Sequence, residues 1–320
     1  MNPPLRLVPQ AGPAVWSGAA LTPADWMLPI GTEDTAALEA LVATSAPVPG
    51  RTEALPPRLG AMLQTLAERL ENGRGLVLLR GLSLERLGAD GAERVLLALA
   101  ARLGTALPQD PEGRLVQALA GPGMPAQGPV RFQADPADAV ALLCLQQVPQ
   151  GGSITLFSAP ALHNALLKAD RAALTVLHQG LPQRVDPDGP VAIPVFSTAS
   201  GAFVGRCDHE TIAPEALTEE QRKALAALEA VATAPGQALS IPLHPGDLLL
   251  RNPHLVWKLA TPEEGPPETA RQLLRLWLAM PNSRALPESF RAVFRETAAG
   301  ALRGGAMPAG NAPGDRMVGG

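Results

Sequence analysis

The sequence predicts an α+β chain built on a β-barrel or jelly roll with helices at its periphery. Three observations predict it. From residue 114 onward the chain breaks into many short apolar runs separated by turn residues, the spacing of strands. Helical spacing of apolar residues is confined to a few segments. Hydrophobic residues make up 46% of the 320 and charged residues 18%, a globular balance in a chain long enough to bury a substantial core.

Residues 1–54 are rich in Pro and Ala and carry Trp16 and Trp26 as packing anchors, which reads as an extended arm closing on the main body. Between 57 and 71 the apolar positions Leu59, Met62, Leu63, Leu66 and Leu70 recur at helical spacing, and Asn72-Gly73 stops the helix. The apolar run between Gly75 and Gly81 reads as a buried strand, and a second amphipathic helix covers 89–103 up to Gly104. Strands are predicted at 114–118, 139–146, 154–157, 192–197, 203–206, 238–242, 247–251 and 273–280, and helices at 159–169 and 218–233. The last helix opens on Thr218-Glu-Glu-Gln221, a capping box. The main domain is set at 55–300 and a disordered, Gly-rich tail at 301–320.

Composition narrows the function classes. A net charge of −4 gives no footprint for nucleic acid or an anionic membrane surface. No apolar run is long enough to span a bilayer and no leader pattern opens the chain, so a cytoplasmic location is expected. Cys144 and Cys207 are too few for a disulfide framework and sit in apolar stretches, as buried thiols do. With aromatics at 3% and no tyrosine, the core must be mainly Leu, Ala and Val.

Four segments, in order, carry a resemblance. They are Gly75-Leu-Val-Leu-Leu-Arg-Gly81 with the later Leu103-Gly104; Phe132-Gln-Ala-Asp135-Pro-Ala-Asp138 running on to Leu145 and the Gly-Gly before Ser153; Pro245-Gly-Asp-Leu-Leu-Leu-Arg-Asn252; and Arg271-Gln-Leu-Leu-Arg-Leu-Trp-Leu278. Together they resemble the "GxxLLRG…LG", "FHTDxxD…GGxS", "PGDxxxxNN" and "RRxLxRLWL" motifs of the taurine dioxygenase (TauD/TfdA-like) family of Fe(II)/2-oxoglutarate oxygenases. The resemblance covers roughly residues 55–290. It implies a double-stranded β-helix, a distorted jelly roll with flanking helices. It also implies an iron site made by a His-x-Asp pair and a distant His, with an Arg clamping the co-substrate carboxylate.

Carried over residue by residue, the iron site departs from that pattern. Gln133 stands at the first histidine, Asp135 keeps the carboxylate, and Lys258 stands at the distal histidine. Glutamine offers a weak neutral oxygen and a protonated lysine has no lone pair, so neither replaces an imidazole donor. No metal and no cofactor are therefore expected, and a Lys258–Asp135 ion pair bridged by Gln133 is expected in the metal's place. Arg271 matches the clamping arginine and Arg275 the second arginine of its motif; with Thr155 they form the expected anion pocket.

Three functions follow from this reading. The first is an oxygenase-fold protein that has lost its iron chemistry and binds a small carboxylate. The second is an active oxygenase using Fe(II) and 2-oxoglutarate through substitute ligands to hydroxylate a small organic acid. The third is metal-free chemistry of Lys258, beside Asp135, on a 2-oxo acid. Among the histidines, His254 is the candidate substitute ligand, but four strand residues displace it by about 13 Å from Lys258. His163, His178, His209 and His244 read as structural or surface residues, and the Cys207-x-His209 spacing lacks metal-ligating partners. Homo-oligomerisation is left open.

Overall fold

Leu- and Val-rich runs that no helix could bury on both sides set the spine of the fold. The computed structural model describes residues 7–42, 57–121, 130–148, 152–185, 189–261 and 271–306. In chain order these form α1 (Pro23–Trp26), β1 (Met27–Pro29), α2 (Thr32–Val42), α3 (Pro57–Glu71), β2 (Leu76–Arg80), α4 (Leu84–Leu103), β3 (Thr105–Leu107) and β4 (Val116–Gly121). Then come β5 (Phe132–Gln133), β6 (Ala139–Gln146), β7 (Ser153–Ser158), α5 (Ala159–Ala169), α6 (Arg171–Gln179), β8 (Leu181–Gln183), β9 (Val191–Ile193), β10 (Phe196–Ala199) and β11 (Ala202–Gly205). The remainder is α7 (Glu219–Ala232), β12 (Leu239–Pro242), β13 (Leu248–Arg251), β14 (Val256–Leu259), β15 (Arg271–Ala279) and α8 (Arg291–Phe294).

The long strands assemble into a seven-stranded sheet in the order β1-β2-β13-β6-β15-β3, with β4 also on β15, and a second sheet runs β12-β7-β14-β5. All pairings are antiparallel except β1 with β2. Alternation along the strands divides the core in two. Val77, Leu79, Ala141, Leu143, Leu248, Leu250, Leu274 and Leu276 pack outward against α2, α3 and α4. Leu76, Leu78, Val140, Leu142, Leu249, Leu273 and Trp277 point inward and meet Ile154 and Leu156 of the second sheet. This is the predicted α+β class, with a distorted jelly-roll core flanked by helices.

Two of the motif segments meet in the large sheet. Arg80, closing β2, donates from Nε and Nη2 to Asp247 Oδ1 and Oδ2 at 2.8 and 2.6 Å. Asp247 follows the Pro245-Gly246 turn, where Gly246 has φ +88° and a Cβ would lie 2.1 Å from the Leu82 carbonyl oxygen. Only glycine fits there.

Several expectations need correction. The N-terminal region is more than an extended arm: β1 adds a strand to the large sheet and α2 packs on α4. The single strand expected at 192–197 is two, β9 and β10, which belong to different hairpins. Helix α6 and the short strands β3, β5, β8 and β14 were not predicted as elements. The boundary of the tail at 301 falls too early, because Arg303 is buried and the Gly305 and Ala306 amides donate to the Pro136 and Pro108 carbonyls at 2.8 and 2.7 Å. Residues 307–320 lie outside the described residues. Among the described residues no helix is long and apolar enough to cross a membrane.

Candidate functional site

The two sheets bring charged residues together at one place in their shared interior. Gln133 and Lys258 are direct partners across β5 and β14, so both side chains leave the same face of the small sheet, and Lys258 Nζ donates to Gln133 Oε1 at 2.9 Å. Lys258 is 5% exposed, and its cross-strand neighbour on the other side is Leu156, a core residue. From the facing sheet, Arg251 at the end of β13 and Arg275 and Trp277 on β15 project inward.

Their common target is Asp135, two residues beyond Gln133. The Arg251 guanidinium closes on its Oδ2. Arg275 Nη1 approaches Oδ1 at 3.4 Å and Trp277 Nε1 donates to the same oxygen at 2.9 Å. Burial alone would push this carboxyl up, but the Arg251, Arg275 and Lys258 charges and the Trp277 hydrogen bond outweigh it and hold it below the usual carboxylate range. The expectation that Lys258 neutralises Asp135 through a direct ion pair is therefore corrected. Arg251 and Arg275 supply the contacts, while Lys258 contributes at longer range and directs its hydrogen bond to Gln133.

Arg275 is also tied from its remaining nitrogens: Nε donates to Gln109 Oε1 at 2.7 Å and Nη2 to Gln117 Oε1, and its guanidinium carbon lies 4.8 Å from the Trp277 ring centroid. Gln109 in turn donates to the Arg275 carbonyl at 2.7 Å, which closes a buried polar network. Arg271 opens β15 and is 4% exposed; alternation points it to the same inner face as Arg275, near Cys144, whose thiol burial pushes up to about 12. Thr155 does not join this group. Its neighbours Ile154 and Leu156 face the interior, so Thr155 leaves the other face of β7, opposite Ser240.

A second buried charge centre lies three residues on. Asp138 Oδ1 accepts from Arg303 Nε at 2.9 Å with Arg303 Nη2 2.7 Å away in the same ion pair, and its Oδ2 accepts from the Met280 amide at 3.0 Å. His254 Nε2 stands 3.9 Å from Asp138 Oδ1, and burial drives this imidazole down to about 4, so it is neutral at pH 7. His254 thus packs beside Asp138 and against Phe294. Near it, Arg206 Nη2 pairs with Asp208 Oδ2 at 3.0 Å while Arg206 Nη1 donates to the Ala134 carbonyl at 2.9 Å. Burial pushes the Asp208 carboxyl up to about 6 against the pull of Arg206.

His163, His178 and His209 are packing groups, while His244 is exposed. His163 and His178 stack edge-on at 5.4 Å within an aromatic box that includes Phe196, and His209 Nδ1 accepts from the Phe132 amide at 2.9 Å. Among the described residues, no three His, Cys, Asp or Glu side chains are grouped to hold a metal ion. Sequence reasoning missed Arg251 and Trp277. The available signal was strand alternation: Arg251 ends an otherwise apolar strand on the face of Leu249, and Trp277 lies two residues beyond Arg275.

Comparison with known proteins follows the same line. The family model "Taurine catabolism dioxygenase TauD, TfdA family" matches residues 46–277. The chain is 28% identical over 260 residues to FR-33289 synthase of Streptomyces rubellomurinus, covering 72% of this chain and 77% of that one. Among solved structures it is similar to asparagine oxygenase in complex with Fe(II), 2S,3S-3-hydroxyasparagine and succinate, with a TM-score of 0.62 and 21% identity over 79% of this chain and 93% of the other. It is also similar to the non-heme iron oxygenase OrfP in complex with Fe and L-Arg, with a TM-score of 0.58 and 15% identity over 86% and 99% of the two chains. At these identities the structures speak for the fold.

Proposed function

Since the chain belongs to the taurine catabolism dioxygenase TauD, TfdA family, we propose that it is a member whose iron chemistry has lapsed and whose former centre is filled by its own side chains. The observation that carries this reading is the closure of Arg251, Arg275 and Trp277 on Asp135. An iron(II) centre of this lineage needs imidazole nitrogens and an accessible carboxylate. Here the histidine positions hold Gln133 and Lys258, which bond each other, and the carboxylate is already hydrogen-bonded by cationic and indole donors. The residues present do not fit the metal. A divalent ion would have to displace one guanidinium and accept a second positive charge, that of Lys258, as its neighbour.

The same chemistry favours a small carboxylate as ligand. Arg251, Arg275 and Lys258 act on the Asp135 carboxylate from the space between the sheets, and strand alternation points Arg271 to the same inner face. A guanidinium fork suits a carboxylate. Arg271, the first residue of β15, is the residue assigned to hold it.

The test is direct. Titration of the purified protein with Fe(II) under anaerobic conditions is expected to give no stoichiometric binding, and incubation with Fe(II), 2-oxoglutarate and oxygen no succinate. Stoichiometric iron together with succinate formation would return the protein to the active oxygenases. Succinate added without metal is expected to raise the melting temperature of the native protein and not of an Arg271→Gln variant.

A further inference from the structure

Lys258 and Gln133 meet where β14 pairs with β5, and their functional groups can do more than share a hydrogen bond. The two are direct cross-strand partners, with Lys258 Nζ 2.9 Å from Gln133 Oε1. A carbonyl bond is about 1.23 Å long, so Nζ lies within roughly 4 Å of the amide carbon Cδ. Lys258 is buried, with Leu156 of β7 as its cross-strand neighbour on the other side, and Gln133 is half-buried. Strand β5 is only two residues long and pairs with β14 through Gln133 and Phe132 alone.

A primary amine and a carboxamide held side by side are the two reactants of a transamidation. Groups fixed in contact and aligned react at effective concentrations of about 10⁵–10⁸ M. We propose that Lys258 and Gln133 join in an isopeptide bond that ties β14 to β5. Nζ attacks Cδ and forms the new C–N bond, and the Cδ–Nε2 bond breaks. Two of the three Nζ hydrogens leave with Nε2, which departs as an ammonium ion. No oxidant, reductant or co-reactant enters. One amide replaces another, and dilution of the released ammonium draws the exchange forward. The amine must shed a proton before it attacks. Asp135 opposes that loss, Arg251 and Arg275 on the same carboxylate favour it, and Leu156 carries no charge. The bond therefore forms slowly at neutral pH and faster in alkali. It stands on this cross-strand pair and is independent of any carboxylate held by Arg271.

Intact mass spectrometry of the denatured full-length protein reads the bond directly. A species lighter than the calculated chain by one ammonia is expected, its share rising as the folded protein is incubated at alkaline pH. Tryptic digestion should then release one branched peptide that joins the segments around 133 and 258, with fragment ions placing the link on the two side chains. Lys258→Arg keeps the positive charge and a hydrogen-bond donor but has no primary amine, and should hold its full calculated mass throughout. Wild-type protein that keeps its full mass after prolonged alkaline incubation would overturn the assignment, whether or not the variant folds. So would an ammonia loss that maps to other residues or persists in Lys258→Arg.

Discussion

The Arg251 guanidinium and the Asp135 carboxylate, 1% and 5% exposed, form an ion pair across the interior between the two sheets. Removing one partner of such a pair leaves the other charge buried and unmatched. Arg251→Met is expected to lower the unfolding free energy by about 3–5 kcal/mol, read by urea denaturation at pH 7. A cost below about 1 kcal/mol would mean that Arg275 and Trp277 alone satisfy Asp135. The depressed carboxyl also fixes the sign of the pH effect. Its contribution is present above the unfolded value of 3.8 and is lost as pH falls through the still lower folded value. In Arg251→Met that loss should begin at higher pH.

Lys258 should matter less than Arg251. It donates to the partly exposed Gln133, and both guanidinium contacts on Asp135 survive its loss. Lys258→Met is expected to cost about 1–2 kcal/mol, the range for an unmet hydrogen-bond acceptor. A loss as large as that of Arg251→Met would restore Lys258 as the principal counter-charge of Asp135.

Restoring a metal requires three changes, not two. Gln133→His with Lys258→His rebuilds the nitrogen donors, but Arg251 still covers the carboxylate. Adding Arg251→Leu should allow Co(II), followed by its visible absorption, to bind at one equivalent, with the double variant weaker by tenfold or more. Equal affinity in the double and triple variants would show that Arg251 yields to the ion without difficulty.

Much of this centre is legible from the residues. Gln133, Asp135 and Lys258 lie in motif segments whose spacing is preserved, so their meeting place follows once those segments are aligned. Arg251 escapes that reading because it sits where the motif tolerates any residue, and only strand parity reveals that it points inward. β14 escapes for a different reason. Four residues give too few periods to separate a strand from a loop, and its stability comes from pairing on both sides with β5 and β7. Thr155 illustrates the sensitivity of strands to register, since a shift of one residue moves a side chain to the opposite face.

Acid should destabilise the protein through its buried imidazoles. Burial lowers His178, His209 and His254 from 6.5 to about 4. The unfolded chain therefore binds more protons between these values, and stability falls as pH drops through that window. Asp208, raised to about 6, acts in the opposite sense: the folded state takes up its proton first, which offsets part of the loss between about 6 and the unfolded value of 3.8. His178→Phe, placed in the same aromatic box, should flatten the acid limb of a melting-temperature profile. An unchanged slope would show that His178 is solvated rather than sealed.

Both thiols should be inert in the native state. Cys144 and Cys207 are fully buried, and burial pushes Cys144 up to about 12 and Cys207 higher still. Little thiolate is present to attack a disulfide reagent. Reaction with a chromogenic disulfide is expected only after unfolding; rapid native labelling of either cysteine would reveal an opening of the interior.

The anchoring of Asp138 by Arg303 also bears on how the chain matures. Asp138 lies in the first half of the sequence, yet the guanidinium that matches it arrives 165 positions later. Every strand of the large sheet precedes that partner in the chain, so the strands by themselves leave the carboxylate without its guanidinium. The native surroundings of Asp138 therefore cannot be completed until the segment around 303 has been made.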